Sequence, residues 1–243
     1  MLRPKFVLIG NGWINPSAQW SAELPYAESL AGRIKVPKLL LEAATKRCNT
    51  SQHQNNATTT LDTCGQMLNI LMMANSDVDP TNIQNPCPNF SCFDKPSWDA
   101  LTAMLSDSAV RASLGVKPSA PAFELCSASL GAPGVFDQDR VSSSGPEIET
   151  LLNSTSCKIL LFAGSDDLVC DAGGVLATAL SLKWPGSLAF AKSPQQTWTN
   201  STSVKVSGNL AFALVANAGH QVPADNPVAA LELVTQAING WWQ

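Results

Sequence analysis

Two histidines occur in the chain, and one of them closes an apolar run, Leu210-Ala-Phe-Ala-Leu-Val-Ala-Asn-Ala-Gly-His220. A second apolar run, Lys158 to Ala163, stops just before two adjacent acids, Asp166 and Asp167. A carboxylate beside an imidazole suits general-base chemistry: the acid fixes the ring tautomer and stabilises the imidazolium formed when the ring takes a proton from a nucleophile. Asp167 precedes His220 by 53 residues, a span that suits two successive strand–helix units. Gly219 allows a tight turn into the histidine. The other histidine, His53 in Ser51-Gln-His-Gln-Asn-Asn56, reads as a surface residue.

Such a pair meets only if its strands lie side by side in one sheet. Phe6–Gly10, Lys158–Ala163 and Leu210–Val215 each read as a short buried strand, and Gly10-Asn11-Gly12 ends the first. Helices are expected at Gly174–Leu182 and Pro227–Trp242, with a polar loop running through about Gly208. Alternation of strands with helices predicts an α/β fold with a mostly parallel sheet, whose sites form beyond the carboxyl ends of the strands. Asn15 to Pro96 is rich in Asn, Thr, Gln, Cys and Pro, with helical patches at Lys38–Arg47 and Thr60–Ala74; it reads as an inserted, disulfide-rich helical cap. Ser97–Leu105 and Asp107–Gly115 read as capped helices, Ser127–Pro146 as a connection, and Glu147–Leu152 as a short helix. The division is therefore 1–14 for a first core strand, 15–96 for the cap, and 97–243 for the core segment with the acid and base.

The chain's 243 residues are 45% apolar, with a net charge of −4 and no charged blocks. That balance excludes the basic footprint of nucleic-acid binding, and no apolar run is long enough for a membrane span. Seven cysteines lack CxxC pairs, so neither a metal site nor a cofactor is implied. Proximity suggests Cys48–Cys64 and Cys87–Cys92 as disulfides, leaves Cys126 to an upstream partner, and assigns nothing to Cys157. Sequons at Asn49, Asn56, Asn89, Asn153 and Asn200, several of them near cysteines, point to a glycoprotein of the secretory pathway. Met1–Gly10 is not a signal peptide, so the expectation is a secreted protein without its beginning.

Phe162-Ala-Gly-Ser-Asp-Asp-Leu-Val-Cys-Asp-Ala-Gly-Gly174 and Asn217-Ala-Gly-His-Gln-Val-Pro-Ala-Asp-Asn-Pro227 resemble two signatures of the serine carboxypeptidases, G-D-x-D-L/F-I-C-N-x-x-G and G-H-M-V-P-x-D-x-P. Leu8–Trp20 resembles the G-N-G-W-x-D-P segment, in the form of the pheromone-processing, carboxypeptidase D-like branch, and Ser106–Val116 resembles the helix before the aspartate motif. The resemblance implies the C-terminal part of an α/β-hydrolase fold. It implies Asp167 and His220 as catalytic acid and base, and Cys170, Leu168 and Gln221 around the substrate pocket. Asn217 and Gly219 would shape the histidine loop. Ser165, Asp171 and Gln221 depart from the family's Asp, Asn and Met, whereas Pro223 and Asp225 are kept. Peptide and protein C-termini are the implied substrates, with a basic preference from the branch, in a Golgi- or vacuole-like compartment or outside the cell.

The nucleophile elbow, Gly-x-Ser-x-Gly, occurs nowhere in the chain. Accordingly an acid–base pair without its serine is expected, inactive alone, with an exposed sheet edge open to association with a missing N-terminal half. The alternative is a non-catalytic glycoprotein that binds peptides on the same scaffold. A lipase or esterase fits the acid–base order but not the Gly-Asn-Gly-Trp and Asp-Leu-Val-Cys matches.

Overall fold

The structure, a computed structural model, describes residues 4–54, 56–88, 96–125, 132, 134–154 and 156–242. In chain order these form β1 (Phe6–Gly10), α1 (Pro16–Ser29), α2 (Lys38–Ser51), α3 (Ala57–Ala74), the hairpin β2 (Val78–Asp79) and β3 (Asn82–Pro86), α4 (Pro96–Ser106) and α5 (Ser108–Ser113). There follow α6 (Asp137–Val141), α7 (Gly145–Ser154), β4 (Lys158–Gly164), α8 (Ala172–Ser181), α9 (Ser187–Lys192), β5 (Gln195–Thr197), β6 (Thr202–Ser207), β7 (Leu210–Val215), α10 (Val222–Asp225) and α11 (Pro227–Asn239). The main sheet runs β1-β4-β7-β6-β5. Its first three strands are parallel, and β6 and β5 extend it antiparallel. Among the described residues no helix is long and apolar enough to cross a membrane.

β4 and β7 are buried on both faces, so their sequences are apolar runs and not alternations. The period-2 pleat still sorts them. Ile159, Leu161 and Ala163 pack with Val175 and Ala179 of α8, while Leu160 faces the other layer with Ala229, Leu233 and Ala237 of α11. Each such Ile, Leu or Val side chain contributes about 1.5–3 kcal/mol of burial. α8 starts at the N-cap Asp171, whose side chain accepts from Gly174 N at 2.7 Å.

The cap has its own core: Trp20, Leu41, Met67, Leu71 and Ile83 surround the Cys48–Cys64 disulfide. Asn15 and Pro16 open α1, a helix not foreseen inside the cap, and its side chains reach both cores, Trp20 on the cap side and Tyr26 on both. The expected connection Ser127–Pro146 carries α6, tied to α3 by Thr58 Oγ1 donating to Asp137 Oδ2 at 2.6 Å.

Two boundaries differ from expectation. The stretch before Gly208 is no polar loop but α9, β5 and β6. The final helix stops at Asn239: Gly240 ends it, Trp241 adopts a left-handed φ of 46°, and its indole donates to Gly208 O at 2.8 Å. Asn89, Cys92 and Cys126, and with them the proposed Cys87–Cys92 loop, lie outside the described residues.

Candidate active site

Parallel pairing sets Gly164 of β4 against Val215 of β7, so both strands deliver their following loops to one place. Those loops touch closely. A Cβ on Gly164 would lie 2.1 Å from Ala218 O, and one on Gly219 would lie 2.0 Å from Thr81 O; neither position has room for a side chain. Ser165 N donates to Val215 O and Asp166 N to Ala218 O, each at 2.9 Å. Asn217 turns the chain with a φ of 56°, and Asp225 Oδ2 accepts from Gly219 N at 2.8 Å. Residues 80–83 of the cap hairpin join the two loops through the main chain: Leu168 N donates to Pro80 O (2.9 Å), His220 N to Thr81 O (2.6 Å) and Ile83 N to Asp166 O (2.9 Å).

This scaffold brings Asp167 Oδ2 to 2.8 Å from His220 Nδ1. Oδ2 also accepts from Asn11 Nδ2 at 2.7 Å, and Oδ1 accepts from Val169 N at 2.7 Å. A carboxylate already accepting on both oxygens calls for Nδ1 to supply the third proton, which fixes the ring as the Nδ1–H tautomer. The bond to Asp167 raises the His220 pKa above its ordinary value, against the opposing effect of burial. Asp167 is fully buried, whereas the His220 side chain is 36% exposed and, among the described residues, nothing bonds its Nε2.

Asn11 escapes sequence reasoning, because an Asn between glycines after a strand ordinarily just makes a turn. It does turn, with a φ of 44°, but that turn also aims its amide at Asp167. Asp166, the other acid, points away from the imidazole. It accepts from Arg33 Nη2 (2.7 Å), from Ser165 Oγ (2.9 Å) and from Gln84 Nε2, and so ties the cap to the core.

Of the expected pocket residues, Cys170 lines a cavity of about 270 Å³ together with Trp13, Trp20, Glu23, Arg140 and Val169. Burial first, then the Asp167 and Asp171 charges, push its thiol up to about 12, so the group is protonated and a poor nucleophile near neutrality. Leu168 is buried in the cap core, and Gln221 is exposed. Asn49, Asn56, Asn153, Asn200 and His53 are exposed. Burial, then Asp171, raises Glu23 to about 8; burial chiefly raises Asp171 to about 7.

A mixed sheet flanked by helices, with acid and base in loops leaving neighbouring parallel strands, defines the α/β-hydrolase class. Within it the chain belongs to the serine carboxypeptidase family (Peptidase S10), whose pattern matches residues 5–240. A serine carboxypeptidase-like protein of Pisum sativum is 30% identical, with 97% of this chain and 84% of that one covered. Carboxypeptidase Y homolog A of Arthroderma otae is 26% identical over 98% of this chain. The crystal structure of Kex1, a prohormone-processing carboxypeptidase from Saccharomyces cerevisiae, superposes with a TM-score of 0.75 at 27% identity over 97% of this chain. This chain spans 47% of the Arthroderma protein and 54% of the Kex1 chain, about half the length of each.

Proposed function

We propose that this chain supplies the acid, Asp167, and the base, His220, of a serine-type carboxypeptidase that hydrolyses the C-terminal bond of peptides and proteins. The 2.8 Å contact between a buried carboxylate and a half-exposed imidazole carries this reading. In the proposed cycle Nε2 takes the proton of a serine hydroxyl as its oxygen bonds the scissile carbonyl carbon, then returns that proton to the departing amine as the C–N bond breaks. Water repeats the sequence on the acyl intermediate, and the Asp167 carboxylate stabilises the imidazolium throughout.

The hydroxyl is not provided by a Gly-x-Ser-x-Gly elbow within these residues, so the chain alone is read as inactive. Among the described residues β1 ends the sheet order with β4 as its one neighbour, and that edge suits association with a complementary N-terminal segment. A second reading, a non-catalytic peptide-binding glycoprotein, is favoured by the same missing elbow. On this reading residues 1–14 and 97–243 make the core and 15–96 the cap, with α1 reaching both. Exposed sequons favour a glycoprotein of the secretory pathway. Asn49, Asn56 and Asn200 suit a glycan better than Asn153, whose amide already donates to Glu149 O at 2.8 Å and Lys183 O at 3.3 Å.

A fluorophosphonate probe on the purified chain tests the reading. No His220-dependent labelling is expected from the chain alone, and its appearance on adding the corresponding N-terminal half of a relative would support the shared site. Labelling of the isolated chain that disappears in His220→Ala would overturn the inactivity.

A further inference from the structure

Thr202 is 3% exposed, and its Oγ1 is buried with no hydrogen-bond partner among the described residues. It opens β6, paired with Val215 of β7, where a valine would have the same shape and leave no hydroxyl unpaired. A buried, unpaired hydroxyl costs about 1–3 kcal/mol, so the fold itself gives no reason for one here. Thr202 is also the hydroxyl residue of the sequon Asn200-Ser-Thr202. In two other sequons the fold does use the hydroxyl: Ser51 Oγ donates to Cys48 O at 2.8 Å, and Thr58 Oγ1 to Asp137 Oδ2 at 2.6 Å. Only a glycosyl transferase, which reads that hydroxyl beside the asparagine, gives Thr202 a comparable use.

The acceptor is placed to match. Asn200 is exposed at the tip of the β5–β6 hairpin, and its amide makes no hydrogen bond among the described residues. Trp198 N and Thr199 N both donate to Thr202 O, at 2.9 and 3.1 Å, which closes the loop around Asn200. Two residues span at most about 7 Å, so a sugar on Asn200 starts within reach of the Trp198 ring. That ring lies edge-to-face with Trp242, centroids 5.3 Å apart. With Trp241 the two rings line a cavity of about 320 Å³, whose wall also holds Gln196 and Gln236. Ring faces for the C–H side of a pyranose, and amides for its hydroxyls, suit a sugar.

We propose that Asn200 is N-glycosylated, that its first sugar lies against Trp198 at this cavity, and that the Thr202 hydroxyl is kept for the transferase and not for the fold. The donor class is an oligosaccharide on a lipid pyrophosphate. Asn200 Nδ2 bonds the anomeric carbon and gives up one proton to a base of the transferase; the C–O bond to the pyrophosphate breaks, and its electron pair leaves with the lipid. Because Thr202 is buried once β6 pairs with β7, transfer precedes that pairing. On the secretory-pathway reading, on which this rests, the site needs neither Asp167 nor His220.

Occupancy is read by peptide mass spectrometry of the intact chain after a cleaved leader has carried it into microsomes. Asn200 should carry a glycan that Thr202→Val abolishes, and chain folded before it meets the transferase should stay bare there. Glycans at Asn49 or Asn56 with none at Asn200 would overturn the proposal and leave the secretory reading standing; no glycan at any sequon would overturn both. Modification of the folded chain at Asn200 would overturn the order of events. Made without glycans, Thr202→Val should melt at the parent temperature or roughly 2–4 °C higher, whereas Ser51→Ala and Thr58→Val should melt lower by about as much. A lower melting temperature for Thr202→Val would mark its hydroxyl as structural and overturn that part. The seat is read by NMR on glycoprotein trimmed to one N-acetylglucosamine. Its N-acetyl methyl should be shifted upfield by the indole and return to its ordinary position in Trp198→Leu; an unshifted methyl, or a shift unchanged in Trp198→Leu, would overturn the seat.

Discussion

The loops that leave β4 and β7 lie against each other, yet they treat their functional side chains in opposite ways. After β4, both carboxylates are fully buried and every oxygen of Asp166 and Asp167 has a donor. After β7, the imidazole is bonded on one nitrogen, and the rest of the ring meets the open side of the site. The carboxylate is fixed and the imidazole is presented. That is the division a proton-transfer pair needs, since the ring must reach a reactant while its tautomer is held from behind. The two acids differ in the same spirit: Asp167 serves the ring, and Asp166 anchors the cap through Arg33 and Gln84.

The largest effects are expected at the glycines where these loops are held. Gly164→Ala places a methyl 2.1 Å from Ala218 O, so the two loops must separate, and Gly219→Ala places one 2.0 Å from Thr81 O, so the histidine loop must part from the cap hairpin. Destabilisation of about 3 kcal/mol or more is expected for each, read as a fall of roughly ten degrees in melting temperature. Next comes the anchor. Arg33→Ala leaves Asp166 buried beside a neutral amide; because Arg33 is itself 46% exposed, about 1–2 kcal/mol is expected and not the full cost of a buried pair. Asp166→Asn in that background should restore part of the loss, which a purely steric role for Arg33 would not allow.

A smaller effect is set by pH. Glu23, Asp171 and His220 all have folded pKa values above their ordinary ones. Groups raised in this way contribute stability that is complete below the unfolded values and disappears as pH climbs through the folded ones. The protein should therefore melt higher at pH 5 than at pH 8, and Glu23→Gln should flatten the upper part of that slope, seen by calorimetry across the range. A slope of the opposite sign would contradict the burial of Glu23 and Asp171.

The elements legible in the sequence were those whose pattern follows from burial on both faces. Phe6–Gly10, Lys158–Ala163 and Leu210–Val215 declare themselves as apolar runs. β6 did not, because Thr202-Ser-Val-Lys-Val-Ser207 alternates through polar side chains, and its Lys205 is buried with its ammonium over the Phe190 ring and on the Ala191 and Ser193 carbonyls. α1 was hidden by Pro16 and Pro25, although Trp20, Glu23, Ala27 and Leu30 keep helical spacing. The Asp167 and His220 motifs could be read locally. Asn11 and Glu23 could not, since their significance arises only when β1 lies beside β4 and α1 packs on α8.

Asp167 holds Nδ1 of His220, and among the described residues nothing bonds Nε2. Ring ¹⁵N NMR of the intact chain, titrated alongside Asp167→Asn, measures this directly. The predicted result is a neutral ring protonated on Nδ1, with a pKa above the ordinary histidine value that falls towards it in Asp167→Asn. A ring protonated on Nε2, or a titration that Asp167→Asn leaves unchanged, would contradict it.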